Sequence, residues 1–173
     1  MIKMLYACEG RTNGIGFNNS IPWKCSLVKT QKWKCSLDMK MYMKCLEESD
    51  ISVCGVKTWE NLPPRAKRFN IPVVINNRKG SKQYPLLSNV INTDCNVLIS
   101  GGSSIYKFCA EHGIVDEIII NRIIFHDKKY LKSDFDTFGL SFDEISKHYS
   151  IDKTFKFNEK DYIIFQEIYL KRK

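Results

Sequence analysis

The sequence predicts an α/β domain built on a largely parallel sheet, and three observations carry that prediction. Short β-branched runs alternate along the chain with stretches of helical apolar spacing. The length, 173 residues, suits one domain, and a chain of this size buries roughly two-thirds of its unfolded surface without a stapling metal or disulfide. The composition, 43% apolar and 27% charged with 9 Gly and 5 Pro, is that of a compact domain rather than a disordered or fibrous one.

Taken in order, residues 2–9 form the first strand and Gly10 to Ser20 a Gly/Asn-rich loop. After Ile21-Pro22-Trp23, the pentapeptide Trp-Lys-Cys-Ser-Leu occurs at 23–27 and again at 33–37, a solitary duplication too short for a solenoid. Asp38 to Glu48 reads as a helix that places Met41, Tyr42 and Cys45 on one apolar face with a carboxylate at its head. The Met39/Met41/Met43 alternation is helix packing. Ile51–Val56 is a strand, Lys57–Leu62 a short helix, Ile71–Asn76 a buried strand, Val90–Asn92 a weak strand, and Asn96–Ser100 a strand ending at a double glycine. Ser103–His112 is helical, Val115–Phe125 a long strand, and Tyr149–Phe157 with Tyr162–Leu170 a terminal hairpin around Asn158-Glu159-Lys160. No second domain is indicated.

Charge and cysteine content narrow the functional classes. The formal net charge is +8, which suits a polyanionic partner, but the basic residues are scattered in short groups at 29–34, 65–68, 128–132 and 171–173 without a basic helix. No nucleic-acid partner is expected. Seven cysteines, an odd count with no C-x-x-C pair, read as buried thiols of a reducing compartment rather than a zinc site or disulfide framework. No leader-like N-terminus and no long apolar run is present, so a cytoplasmic protein without a membrane span is expected.

Two strand-to-helix junctions are placed to hold phosphate, Gly55-Val56-Lys57-Thr58 and Gly101-Gly102-Ser103-Ser104. A helix start offers free N–H groups, and glycine lets a ligand approach the backbone closely. Neither junction is a G-x-G-x-x-G fingerprint or a G-x-x-x-x-G-K-[ST] loop. Asp38 reads in two ways: a helix cap, or a carboxyl desolvated by apolar neighbours and able to handle a proton near neutrality. His112, His126 and His148 stand in separate segments, which gives nucleophilic or metal chemistry little support.

In this order the pieces resemble dihydrofolate reductase. The resemblance runs over nearly the whole chain and is carried by Gly14-Ile15-Gly16-x-Asn18-Asn19-x-Ile21-Pro22-Trp23, by Cys54-Gly55-Val56-Lys57-Thr58-Trp59-Glu60 and by Ile99-Ser100-Gly101-Gly102-Ser103-Ser104-Ile105-Tyr106. Val73-Val74-Ile75-Asn76-Asn77-Arg78, Ile120-Asn121-Arg122-Ile123 and the terminal hairpin support it.

The resemblance implies a monomer with a three-layer, mostly parallel eight-stranded sheet flanked by helices. It also implies hydride transfer from NADPH to C6 of dihydrofolate with a proton delivered to N5. In that family one buried carboxylate at the first helix binds the pterin and promotes N5 protonation, and Asp38 stands five residues after Trp33 at the family's spacing. Trp23 keeps the preceding proline, so either tryptophan can fill the position beside the substrate, with Trp23 preferred.

The same resemblance places Tyr6, Cys8, Met39, Tyr42, Ile99 and Tyr106 around the substrate, and Asn121 where a threonine bonds the acid. An amide can replace that hydroxyl as donor. Arg68, with Arg65 competing, matches the arginine that clamps the glutamate carboxylate. For NADPH it implies Ala7, Ile15, Gly16, Lys57, Thr58, Asn76, Asn77 and Arg78, together with Gly101, Gly102, Ser103, Ser104 and Ile105. Gly14 to Ser20 would close over the nicotinamide. The alternatives are a pyrimidine reductase of riboflavin synthesis and a non-catalytic basic binding module on the same scaffold.

Overall fold

The long apolar runs at Ile2–Glu9 (β1) and Glu117–Phe125 (β6) read as strands covered on both faces, and they form the centre of the sheet. The computed structural model describes residues 1–18, 21, 35–62, 64–76, 84–92 and 94–173. Between the two central strands come Gly14–Gly16 (β2), Ser36–Glu47 (α1), Ile51–Gly55 (β3), Val56–Asn61 (α2), Pro64–Lys67 (α3), Asn70–Val73 (β4), Leu87–Ile91 (α4), Val97–Ile99 (β5) and Ser103–Glu111 (α5). After β6 follow Thr137–Phe138 (β7), Phe142–Ser146 (α6), Tyr149–Asn158 (β8) and Tyr162–Lys171 (β9).

Seven strands pair in the order β4-β3-β5-β1-β6-β9-β8. The pairings β3–β4, β3–β5, β1–β5 and β1–β6 are parallel, and β6–β9 and β8–β9 are antiparallel. The α/β class, the mostly parallel sheet and the terminal hairpin are therefore present, but the main sheet has seven described strands rather than eight. The expected strand at Val90–Asn92 falls in α4, and that stretch adds only a single bridge, Val74 to Leu86. Leu87, Val90 and Ile91 stand at i, i+3 and i+4 and all face the core, which is the helical period and not that of a strand.

Strand alternation sorts the side chains into layers. Met4, Tyr6 and Cys8 of β1 and Ile118 and Ile120 of β6 enter the main core with Ile105, Tyr106 and Cys109 of α5 and Ile145 of α6. Leu5 and Ile119 face the other way and pack with Leu98 under Tyr42, Cys45 and Leu46 of α1. Helices thus cover both faces of the sheet. The residue two past Ile119 on the α1 side is Asn121, and the parallel register sets it beside Ala7. A buried amide is thereby carried beneath the head of α1.

Several elements fall outside the sequence reading, among them α3, the β2–β7 pair and α6. The β2–β7 pair is a separate two-stranded sheet that ties the Gly14–Gly16 loop to Thr137–Phe138. Gly14 is required there, because an added Cβ would lie 2.1 Å from the Phe135 ring. Asp136 fastens the same loop, accepting from the Asn18 N–H at 2.8 Å. Helix α6 begins with a reciprocal cap: the Glu144 N–H donates to Ser141 Oγ at 3.2 Å, and the Ser141 N–H donates to the Glu144 carboxylate at 2.7 Å. Among the described residues no helix is long and apolar enough to cross a membrane.

Candidate active site

Strands β3 and β5 are neighbours and run parallel, so the junctions at their carboxyl ends come together. The Gly55 N–H donates to the Gly101 carbonyl at 2.9 Å. Thr58 of α2 fills the space above the double glycine: a Cβ on Gly101 would lie 2.8 Å from Thr58 Cγ2, and one on Gly102 2.6 Å from Thr58 Oγ1. The Gly101–Gly102 peptide is cis. Only glycine permits this approach of two backbone turns, and it leaves the start of the nine-residue α5, with the Ser103 and Ser104 hydroxyls, open to a cleft.

That cleft has a volume of about 1290 Å³ and runs from the two junctions to the head of α1. It is large enough for two drug-sized ligands side by side, since single-ligand pockets span about 300–1,000 Å³. Its mouth on the junction side carries Lys57, Thr58 and Asn76. Asp38, Met39 and Tyr42 line its α1 end, and Tyr6, Ala7, Ile15, Gly16 and Tyr106 line it as well.

At the far end Asp38 is the only carboxylate among the lining residues described. Burial pushes its carboxyl up from 3.8 to about 6, and the hydrogen bond from Asn121 pulls the other way. Asn121 Nδ2 donates to Asp38 Oδ1 at 2.8 Å, and Asn121 itself is fully buried. The carboxyl is thereby held where protonated and ionised forms are both accessible near neutrality, as a proton-handling group needs. The residue before the helix is the buried Cys35, whose side chain makes no capping hydrogen bond among the described residues. The described part of the second pentapeptide copy leads into the helix, with Cys35 before it and Ser36 and Leu37 in its first turn.

Three of the expected substrate positions are not in the cleft lining. Cys8 is fully buried in the main core and does not line the cleft, and its Sγ accepts from Arg122 at 3.7 Å. Burial pushes the Cys8 thiol up to about 12, against the pull of Arg122. Ile99, expected to offer its backbone carbonyl, has a fully buried side chain and is not among the cleft-lining residues. Arg68 is exposed in the turn after α3 and does not line the cleft, although Ala66 and Phe69 on either side do. Trp23, Trp33, Asn77, Arg78 and the Arg65 side chain lie outside the described residues.

Other residues of the site carried little sequence signal. Leu5 lines the cleft, and its carbonyl accepts from the Tyr106 hydroxyl at 3.2 Å. Asn70, buried at the start of β4, is a polar hub. Its Oδ1 accepts from Ser52 Oγ at 2.8 Å and Ser100 Oγ at 2.6 Å, and its Nδ2 donates to the Ala66 carbonyl at 3.0 Å and the Tyr42 hydroxyl at 3.3 Å. It thus ties the cleft's Tyr42 to β3, α3 and the residue before the double glycine. Asn70→Ala is expected to cost about 2 kcal/mol in denaturant melts, because it strips partners from buried hydroxyls. Cleft ligands should also bind more weakly.

The match to known proteins adds no family name: no family model matches the chain, and no curated protein matches it.

Proposed function

We propose that the chain is an NADPH-dependent reductase of 7,8-dihydrofolate, reducing C6 by hydride transfer while N5 takes a proton. The observation that supports this most strongly is the half-buried Asp38 carboxyl, backed by Asn121, at one end of a two-ligand cleft whose other end is a glycine-lined polar cradle. A flat heterocycle with adjacent N–H and amino groups suits a carboxylate with two oxygens, and Met39 and Tyr42 supply the walls for its faces.

The cradle fits a dinucleotide. Gly101 and Gly102 leave open backbone where any side chain would collide with Thr58, and Ser103, Ser104, Thr58 and Lys57 offer donors and a cation to phosphate oxygens. NADPH would be held by these residues with Ala7, Ile15 and Gly16, and when bound it supplies the hydride. Asn77 and Arg78 complete this set in the proposal.

Asp38 has the proton-handling part. Asn121 holds one carboxyl oxygen by its amide and leaves the other for the ligand. With a midpoint of about 6, the carboxyl pairs with the pterin when ionised and admits a proton toward N5 as the pH falls. Trp23 is proposed beside the substrate, and Arg68 or Arg65 as the clamp for the glutamate carboxylate, where a planar guanidinium matches two oxygens. Closure of residues 14–20 would exclude water during transfer.

The test is an absorbance assay of NADPH consumption with dihydrofolate. Turnover that depends on both ligands supports the reading; tight binding of RNA at physiological salt without turnover would favour the binding module instead.

A further inference from the structure

Strand β9 lies on the far side of β6 from the cleft, yet one of its side chains reaches the site through a single intermediary. The β6–β9 register sets Gln166 directly opposite Asn121. Gln166 Nε2 donates to Asn121 Oδ1 at 3.0 Å, and the same nitrogen lies 3.4 Å from the thioether of Met41, one helical turn beyond Asp38. Both neighbours of that nitrogen are acceptors. The amide of Gln166 therefore has one satisfied orientation, with its NH₂ inward.

Orientation propagates. An Asn121 amide whose oxygen is engaged by Gln166 must turn its NH₂ to Asp38, where it donates at 2.8 Å. Were the order reversed, the Asn121 oxygen would face the carboxylate and repel it unless Asp38 carried a proton. We propose that Gln166 is a positioning residue for Asp38: by donating to Asn121 it fixes the sense of that amide and so favours the ionised carboxylate. Gln166 touches neither cleft nor ligand and acts only through Asn121. The proposal rests on the reading of Asp38 as the proton-handling group.

The other titratable groups near Asp38 do not supply this control. Cys8 of β1 and Cys35 at the head of α1 are both pushed by burial up to about 12, and Tyr106 of α5 is raised well above 10.0. All three stay neutral across the range where Asp38 titrates. Arg122 and Glu167, each one residue on from Asn121 and Gln166, point to the opposite face of the sheet, where they bond each other at 2.8 Å. The one described side-chain hydrogen bond that holds the Asp38 charge is the amide of Asn121.

The test follows the side-chain carboxyl of Asp38 by carbon NMR in protein labelled at aspartate, with the resonance assigned by its loss in Asp38→Asn. Gln166→Leu should move the midpoint up from about 6 to about 7, since a donated hydrogen bond that favours the charged form is weakened. Gln166→Met, which keeps the side-chain length and contact with Met41 but has no donor, should do the same and stands in if the leucine variant fails to fold. In an Asn121→Leu background neither substitution should move the midpoint further. An unchanged midpoint in Gln166→Met, or an equal rise with and without Asn121, overturns the proposal. The titration needs no substrate, so a shifted midpoint in a protein that does not reduce dihydrofolate would sink the proposed reaction and leave the positioning role standing.

Discussion

Asp38→Asn is expected to lower kcat/KM for dihydrofolate at neutral pH by about 100-fold or more, because in the proposed reaction it removes the group that handles the proton and anchors the heterocycle. NADPH binding should change little, since the cradle at Gly101 and Gly102 lies at the other end of the cleft. In the parent protein kcat/KM should fall as the pH rises through about 6, the midpoint of the Asp38 carboxyl; the asparagine variant should lose that inflection. A variant as active as the parent, with the same pH profile, would remove Asp38 from the chemistry.

The same substitution should make the protein more stable. Burial raises the Asp38 carboxyl from 3.8 to about 6, so between those values the folded chain binds a proton that the unfolded chain has released. Stability attributable to this group is thus present in full at the acid end and lost as the pH climbs through about 6, a cost of about 3 kcal/mol above it at ~1.4 kcal/mol per pKa unit. An amide carries no such penalty. Asp38→Asn is expected to gain up to about 3 kcal/mol at neutral pH, with the advantage fading toward pH ~4. Urea melts of both proteins across that range measure it. Stability given up at one carboxyl is what a functional acid requires of its fold.

Gly102→Ala is the second large effect. Its methyl carbon would sit 2.6 Å from Thr58 Oγ1, and Thr58 is β-branched and stiff about its first torsion. The clash must be relieved by moving α2 away from the start of α5, which pulls apart the two junctions joined through Gly55 and Gly101. Over-packing of this kind costs about 1–3 kcal/mol. In titration calorimetry NADPH affinity should drop about 30-fold, near the 2 kcal/mol midpoint of that range, while a pterin fragment binds within a factor of about two. Adding Thr58→Ala should recover stability, because it removes the atoms that the new methyl meets, but not the full affinity, because the hydroxyl is lost. Equal loss of both ligands would mean that the cradle and the acid end are one binding unit.

How far the residues announced all this depends on whether the signal was local. The alternating strands, the double glycine after β5 and the carboxylate at the head of α1 were legible because each is set by a few neighbouring residues. The reciprocal cap of Ser141 and Glu144 is equally local, as Ser-x-x-Glu. Which residues of β1 reach the cleft is set by the pairing and packing of the whole sheet and not by local sequence: Leu5, Tyr6 and Ala7 line it and Cys8 does not. Val90 was given to a strand although Leu87, Val90 and Ile91 keep a helical period. Asn70 and Gln166 were invisible for a different reason: their side-chain partners are 18 to 125 residues away, and such polar hubs form only when the sheet closes. A lone amide on the apolar face of β9, between Ile164 and Ile168, was the one trace of the second.

The most direct test of the central claim is a labelled turnover with NADPH carrying deuterium at the transferable position of the nicotinamide and unlabelled dihydrofolate. The account predicts tetrahydrofolate with the deuterium at C6 and a solvent-derived proton at N5, formed by the parent protein and suppressed by Asp38→Asn. Both ligands bound to the parent protein with the label retained in the nicotinamide would contradict it.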